Sequence, residues 1–333
     1  MEHSALLIFS IVGMALLFDF LNGFHDAANS IATIVSTRVL RPHWAVIWAA
    51  FFNCIAFLFF GLHVANTIGT GILDPAFIDP IVVLSALLGA IFWNIFTWFF
   101  GLPSSSSHAL IGGLGGAGIA KAGFVALKLS GFVKIGLSIV ISPVLGFLLA
   151  LIFMTAISLC LYRTLPIKVD RWARRAQLVS ASLYSLGHGV NDAQKTMGII
   201  AVLLFSTGHI SHFYVPTWVV LACQFTMGLG TLFGGWRIVR TMGMKITKLK
   251  PIGGFCAETG GAITLFLATS LGIPVSTTHT ITGAIMGVGA FTRFSAVRWG
   301  VAERIVWAWI LTIPAAGMVS GATWSLCQYF FVN

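Results

Sequence analysis

Gly23-Phe24-His25-Asp26-Ala27-Ala28-Asn29-Ser30 recurs later in the chain as Gly189-Val190-Asn191-Asp192-Ala193-Gln194-Lys195-Thr196, an offset of 166 residues. A second pair follows in the same order: Pro103-Ser104-Ser105-Ser106-Ser107-His108 and Pro274-Val275-Ser276-Thr277-Thr278-His279, offset by 171. Gly112, Gly116 and Gly118 match Gly283, Gly287 and Gly289 at that second offset. Two ordered anchors at nearly equal offsets make an internal duplication, the signature of a repeat architecture. Residues 1–162 and 176–333 read as the two copies, joined by a basic linker at 163–175.

The solvent for this duplicated chain is lipid. Of its 333 residues 58% are hydrophobic and only 8% charged, against about 25% charged in an average soluble domain. Residues 44–62, 81–101, 135–162 and 213–235 contain no Lys, Arg, Asp or Glu, and each is long enough for the roughly 20 helical residues that cross a bilayer. A soluble protein of this size would lack the charge to cover its surface. The net charge of +10 implies no nucleic-acid partner, because the basic residues crowd into segments such as 163–175 and 237–250 that read as cytoplasmic flanks. Membrane lipid is the implied surroundings. The five cysteines show no CxxC pair and read as packing residues. Met1-Glu2-His3 gives no positive n-region, so the first apolar run reads as a retained helix.

Loop charges orient the copies. The loop at 38–43 carries Arg38 and Arg41, and its counterpart at 207–216 has neither Lys nor Arg. The next first-copy loop, 63–80, has none, whereas its counterpart at 237–250 has five. The bias flips between copies, as an inverted-topology repeat requires. One pair departs from the pattern: 121–134 and 293–304 are both basic. The expected fold is an all-α polytopic membrane protein, an inverted-topology repeat with broken helices, re-entrant helical hairpins and about 10–12 membrane segments, both termini outside.

Asp26 sits between the stretches 5–20 and 27–35, both read as apolar, and Asp192 holds the same place in the second copy. An acid at bilayer depth marks a functional site. Asn22, His25 and Asn29 surround Asp26, and His188, Asn191, Gln194 and Lys195 surround Asp192. Gly23, Gly187 and Gly189 allow non-helical backbone there, and residues 4–37 exceed one straight span. A helix broken at the motif is therefore expected, its oxygens serving Na+ or a coupling proton. The bland alternative is a structural Asp–Lys or Asp–His pair.

The hydroxyl runs supply the opposite sign. Proline followed by Ser and Thr suits a helix start, and free N–H groups there bind anions. Two such starts, one per copy, would hold an oxyanion between them, although small residues also serve plain helix packing. His108 and His279 either titrate near neutral pH or cap the turn. Glu258 is an isolated acid in an apolar stretch, with a functional role expected and no partner nameable.

These motifs resemble the inorganic phosphate transporter (PiT) family, whose G-x-N-D-x-x-N motif appears here twice, followed each time by the Ser/Thr-His element. The likeness runs from Asn22 to Gly289. It implies a symporter of inorganic phosphate and a cation, working by alternating access and commonly homodimeric. Residue by residue, it implies that Asp26, Asn29, Asn191 and Asp192 coordinate cation and phosphate; with Asn22 and His25 beside Asp26 they form the expected cation-coupling set. Ser105, Ser106, Ser107, Ser276, Thr277, Thr278 and Gln194 would hold phosphate, with Lys195, His108, His279 and Glu258 as further candidates. His25 stands where many members have Asn, and Gly-Phe-His-Asp looks like the bacterial low-affinity branch, which implies a multi-pass protein of the bacterial inner (plasma) membrane and H+ over Na+ as coupling ion. No cofactor, catalytic residue or resident metal is implied; a divalent metal travelling with phosphate as a neutral complex is. The rivals are a permease for sulfate or another oxyanion and an intramembrane hydrolase. The second lacks an H-E-x-x-H or G-x-S-x-G element.

Overall fold

Proline and glycine punctuate the helices of the computed structural model, which describes residues 5–331. The first copy runs through α1 (Ala5–Ser36), α2 (Pro42–Ile55), α3 (His63–Gly71), α4 (Pro80–Phe100), α5 (Ser106–Ala122) and α6 (Leu129–Leu161). The second follows with α7 (Pro166–Ser206), α8 (Thr217–Phe233), α9 (Trp236–Arg240), α10 (Pro251–Ser270), α11 (Thr277–Thr292) and α12 (Trp299–Phe331). Pro42, Pro80, Pro166 and Pro251 each open a helix, where a missing N–H costs nothing. Gly101 ends α4 and Gly272 follows α10, both at positive φ (64° and 65°), a conformation glycine adopts without strain. Among the described residues there is no strand beyond one isolated bridge, Leu73 to Leu127.

Six helices are long and apolar enough to cross a membrane, and two bent pairs bring the number to eight if each is one span. The chain is a multi-pass, all-helical membrane protein. Helices α1 and α7 run through its middle: nearly every side chain from Ser180 to Leu204 is buried, as expected of a helix enclosed on all sides. Helix α6 turns most of its apolar surface outward, toward lipid. The sequence reading of Met1-Glu2-His3 falls outside the described residues.

The breaks lie elsewhere than at the Asp motifs. Helix α1 continues unbroken through Gly23–Asn29, and α7 through Gly189–Lys195. The bends come instead between α2 and α3, at 80°, and between α8 and the arm of α9 with its π-helical turn Thr241–Lys245, at 61°. The motif glycines serve close approach. Any Cβ on Gly23 would collide with the Met227 carbonyl of α8, and one on Gly189 with the Asn53 backbone of α2. Small residues at helix crossings do the same elsewhere: Gly112 and Gly116 of α5 meet the backbone of α12 at Ile313 and Gly317, while Gly283 and Gly287 of α11 meet α6 at Pro143 and Phe147. Each copy's short helix thus packs on the other copy's last helix.

Two basic segments are also largely helical. Residues 166–175 are the first turns of α7, where Arg174 pairs with Asp170 at 2.7 Å and donates to the Arg38 carbonyl; Arg237 and Arg240 belong to α9. The basic stretch 121–134 that departed from the charge pattern has local partners: Lys121 pairs with Asp79 at 2.6 Å, and Lys128 donates to the Thr70 carbonyl at the end of α3. The five cysteines are free thiols.

Candidate functional site

Two helical hairpins, α4–α5 and α10–α11, bring buried turns into the centre. Ser105 caps α5 by accepting from the His108 N–H at 3.2 Å, and Ser276 caps α11 through the His279 N–H at the same distance. This is the local reason for the hydroxyl runs: an N-cap hydroxyl satisfies one orphan amide of the first turn. Tyr184 donates to the Thr277 carbonyl and Trp309 to the Pro103 carbonyl, fixing both turns. Every residue from Ser104 to His108 and from Ser276 to Thr280 is at most 3% exposed.

The Asp motifs meet these helix starts across the copy boundary. Asn29 donates to Thr277 and Thr278 (3.1 and 2.9 Å). Lys195, its counterpart, donates to Ser107, the counterpart of Thr278. Lys195 also donates to the Val275 carbonyl at 2.8 Å and pairs with Asp192 at 2.5 Å. The other Asp192 oxygen accepts from Thr277 at 3.0 Å and lies 3.3 Å from His188 Nε2. Lys195 thus binds an aspartate and a hydroxyl of the opposite copy at once.

Asp26 is held differently. His25 Nδ1 lies 2.6 Å from its Oδ1, and His25 Nε2 lies 3.1 Å from the Thr97 hydroxyl of α4, which accepts from Ser104. A chain of polar atoms therefore links Asp26 to the first hairpin turn. Oxygens of Asp26 and Asp192 and a nitrogen of His188 all lie within 4.8 Å of one another. Two carboxylates and an imidazole suit a divalent ion more than Na+, which prefers oxygen alone.

The remaining candidates scatter. Asn22 is buried one turn before Asp26, its Oδ1 without a partner. Asn191 donates to Thr269 of α10, away from the hydroxyl runs. Gln194 caps the start of α3, accepting from the N–H groups of Val64 and Ala65 and donating to the Gly61 carbonyl. Its amide is engaged on both sides at the α2–α3 bend. His108 and His279 do not cap: their rings meet edge to face, centroids 4.8 Å apart, and His279 stacks on Trp309 at 3.8 Å. Ser106 Oγ has no partner. Glu258 gains partners that sequence did not name, accepting from Thr33 and Ser180 at 2.5 Å and from Gln177 at 3.0 Å.

One acid escaped the sequence reading. Asp19 lies inside the stretch 5–20 that reads as apolar, yet it is fully buried and accepts from Thr196 at 2.8 Å. The signal was present: it is a lone carboxylate in an otherwise uncharged run from Ala5 to Phe24.

Comparison with known proteins fits this geometry. Residues 22–320 match the model of a phosphate transporter family. A probable low-affinity inorganic phosphate transporter of Rhizobium meliloti (strain 1021) is 66% identical over 97% of this chain and 96% of its own length. One of Bacillus subtilis (strain 168) is 46% identical over 100% of this chain and 99% of its own. Among solved structures, one described as the sodium-dependent phosphate transporter aligns with a TM-score of 0.90 at 27% identity, covering 98% of this chain and 100% of that chain.

Proposed function

The chain belongs to the phosphate transporter family, and from that premise we propose that it imports inorganic phosphate by cation symport through alternating access. It is a transporter, not an enzyme, as its relatives are named. The observation that carries the finer reading is the pair of matched cross-links, Asn29 to Thr278 and Lys195 to Ser107. With Thr277 donating to Asp192 and Lys195 bridging Asp192 to Ser107, both hydroxyl-capped helix starts reach one buried carboxylate. Two helix starts, their hydroxyls and one ammonium make a cradle for an oxyanion.

Charge supports coupling to a cation. Asp19, Asp26, Asp192 and Glu258 are buried, and among the described residues Lys195 is the one buried ammonium. Four buried carboxyl groups thus stand against one fixed positive charge before phosphate arrives. An anion enters such a place only together with positive charge. His25 against Asp26 supplies a proton-binding pair, which favours H+ over Na+ as coupling ion; the solved relative is described as sodium-dependent. Asp26, His188 and Asp192 would meet a divalent metal travelling with phosphate. All of these groups are buried, so loading requires one hairpin to withdraw. The copies as an inverted repeat would let either hairpin do so in turn, one on each side of the bacterial plasma membrane. A homodimer completes this reading.

Uptake by the purified protein in liposomes, with H+ and Na+ gradients imposed in turn, tests it. Phosphate accumulation is expected with the H+ gradient, arsenate competing and sulfate not. Asp26→Asn and Asp192→Asn are each expected to abolish accumulation while the protein still inserts. Undiminished uptake by both variants overturns the mechanism.

A further inference from the structure

Asp19 has no place in the site described so far. Its carboxylate is fully buried. Thr196 donates to Oδ1, and Oδ2 has no hydrogen-bond partner. One turn further along α1, Asn22 Oδ1 is also buried without a partner. Residues three apart share a helix face, so two orphaned acceptor oxygens stand on one side of α1. Buried acceptors without donors are a ligand set for a cation, and hard oxygens suit Na+ or a proton.

Fixed charge does not answer Asp19. An ammonium has three protons, and those of Lys195 go to Ser107, Asp192 and the Val275 carbonyl. Helix α4 carries no titratable side chain, and α8 offers only the Cys223 thiol. On α7 the nearby charges are Lys195, already engaged, and Asp192, whose like charge repels that of Asp19. On α1 itself, His25 is bound to Asp26. An isolated buried carboxylate in lipid is costly until a proton or a metal cation neutralises it. Thr196 adds a direction: it shares a face of α7 with Asp192, four residues away, so the Asp19 site adjoins the coupling centre.

We propose that Asp19, with Asn22 and Thr196, forms a separate cation-loading position that takes up one coupling cation, a proton or Na+, in each transport cycle. This rests on the symport reading above and adds a site to it. Full-length protein in liposomes gives the cation-to-phosphate ratio from reversal potentials. Asp19→Asn is expected to lower that ratio by one and Asp19→Glu to restore it. Under a tenfold cation gradient, losing one coupled cation lowers the phosphate accumulation limit by about tenfold. An unchanged ratio in Asp19→Asn overturns the proposal. Thr196→Val keeps the carboxylate and removes its donor; a severalfold shift in the half-saturating cation concentration is expected, and no shift counts against the site.

A transport-independent measurement separates this from the symport reading. In detergent without phosphate, Na+ titration at fixed pH and pH titration without Na+ each shift the unfolding temperature of the wild type if a cation binds the folded protein. Asp19→Asn is expected to shrink the shift in one arm, and that arm identifies the cation. Equal shifts in variant and wild type in both arms overturn the Asp19 site even where phosphate uptake is normal. Absence of phosphate uptake by the wild type would instead sink the symport reading.

Discussion

Asn29 and Lys195 hold equivalent places in the two motif copies, and each reaches into the opposite copy to the same hydroxyl position, Thr278 or Ser107. The reach is symmetric and the charge is not. One cross-link is a neutral amide on hydroxyls; the other is an ammonium shared among a hydroxyl, a carbonyl and Asp192. The aspartates differ accordingly, Asp192 bound to a fixed cation and Asp26 only to an imidazole. The comparison teaches that duplication built the scaffold while divergence assigned the chemistry. One side keeps a permanent positive charge, and the other keeps a group able to gain one.

Removing that permanent charge breaks the comparison most severely. Lys195→Asn leaves the buried Asp192 carboxylate without its ammonium, which costs about 3–5 kcal/mol. Replacing both partners by Asn removes both charges and recovers most of the loss. Thermal unfolding of the two single variants and the double variant closes a mutant cycle. If the double variant loses as much as the two singles summed, the pair is not coupled and the asymmetry means nothing for stability.

The symmetric part of the comparison is tested at the glycines. Gly116→Val and Gly287→Val each push a side chain into backbone, of α12 and α6 respectively, and overpacking of this kind costs about 1–3 kcal/mol. Equal losses are expected, because the two contacts are copies. Gly136, on the outward face of α6 with nothing near its Cβ position, is the control; Gly136→Ala is expected to cost nothing or to stabilise, since alanine is the better helix former by about 1 kcal/mol. Markedly unequal losses at Gly116 and Gly287 would show that the scaffold has diverged too.

The pattern of what could be read from sequence follows the same line. Repetition exposes itself, so the two Asp motifs, the capped helix starts of α5 and α11 and the matched glycines were all legible from offsets. Singletons hide. Asp19 has no charged counterpart, since the residue 166 positions on is Ser185, and Glu258 matches Leu87 at the 171 offset, so neither is flagged by the repeat. Partners were less legible than positions. That Gln194 would turn to the start of α3 depends on where the α2–α3 bend falls, and no local pattern marks that bend. The glycines misled in a specific way: a glycine that permits a break and a glycine that permits a crossing look alike in sequence. Only the neighbouring Met227 and Asn53 backbones distinguish them.

The smallest expected effect discriminates most finely. Each bent pair ends in an arm that donates one hydroxyl to a hairpin turn of the other copy: Thr67 of α3 to the Gly272 carbonyl at 2.7 Å, and Thr241 beyond α9 to the Gly101 carbonyl at 2.9 Å. Thr67→Val and Thr241→Val each delete one hydrogen bond, worth about 1 kcal/mol. The surroundings are unequal. Arg237 also clamps the α4 turn, donating to the Phe99 carbonyl at 2.6 Å and lying over the Trp98 and Phe99 rings at 4.9 and 5.1 Å, whereas at the α10 turn the matching neighbour is His63 against Gly272. Thr67→Val is therefore expected to loosen its hairpin more than Thr241→Val, read as faster hydrogen exchange of the amides at 272–276 than at 101–105. Adding Arg237→Ala to Thr241→Val should remove the difference. If exchange at the two turns rises equally in the single variants, the Arg237 clamp carries no weight, and the asymmetry of the molecule is confined to the charges around Asp26 and Asp192.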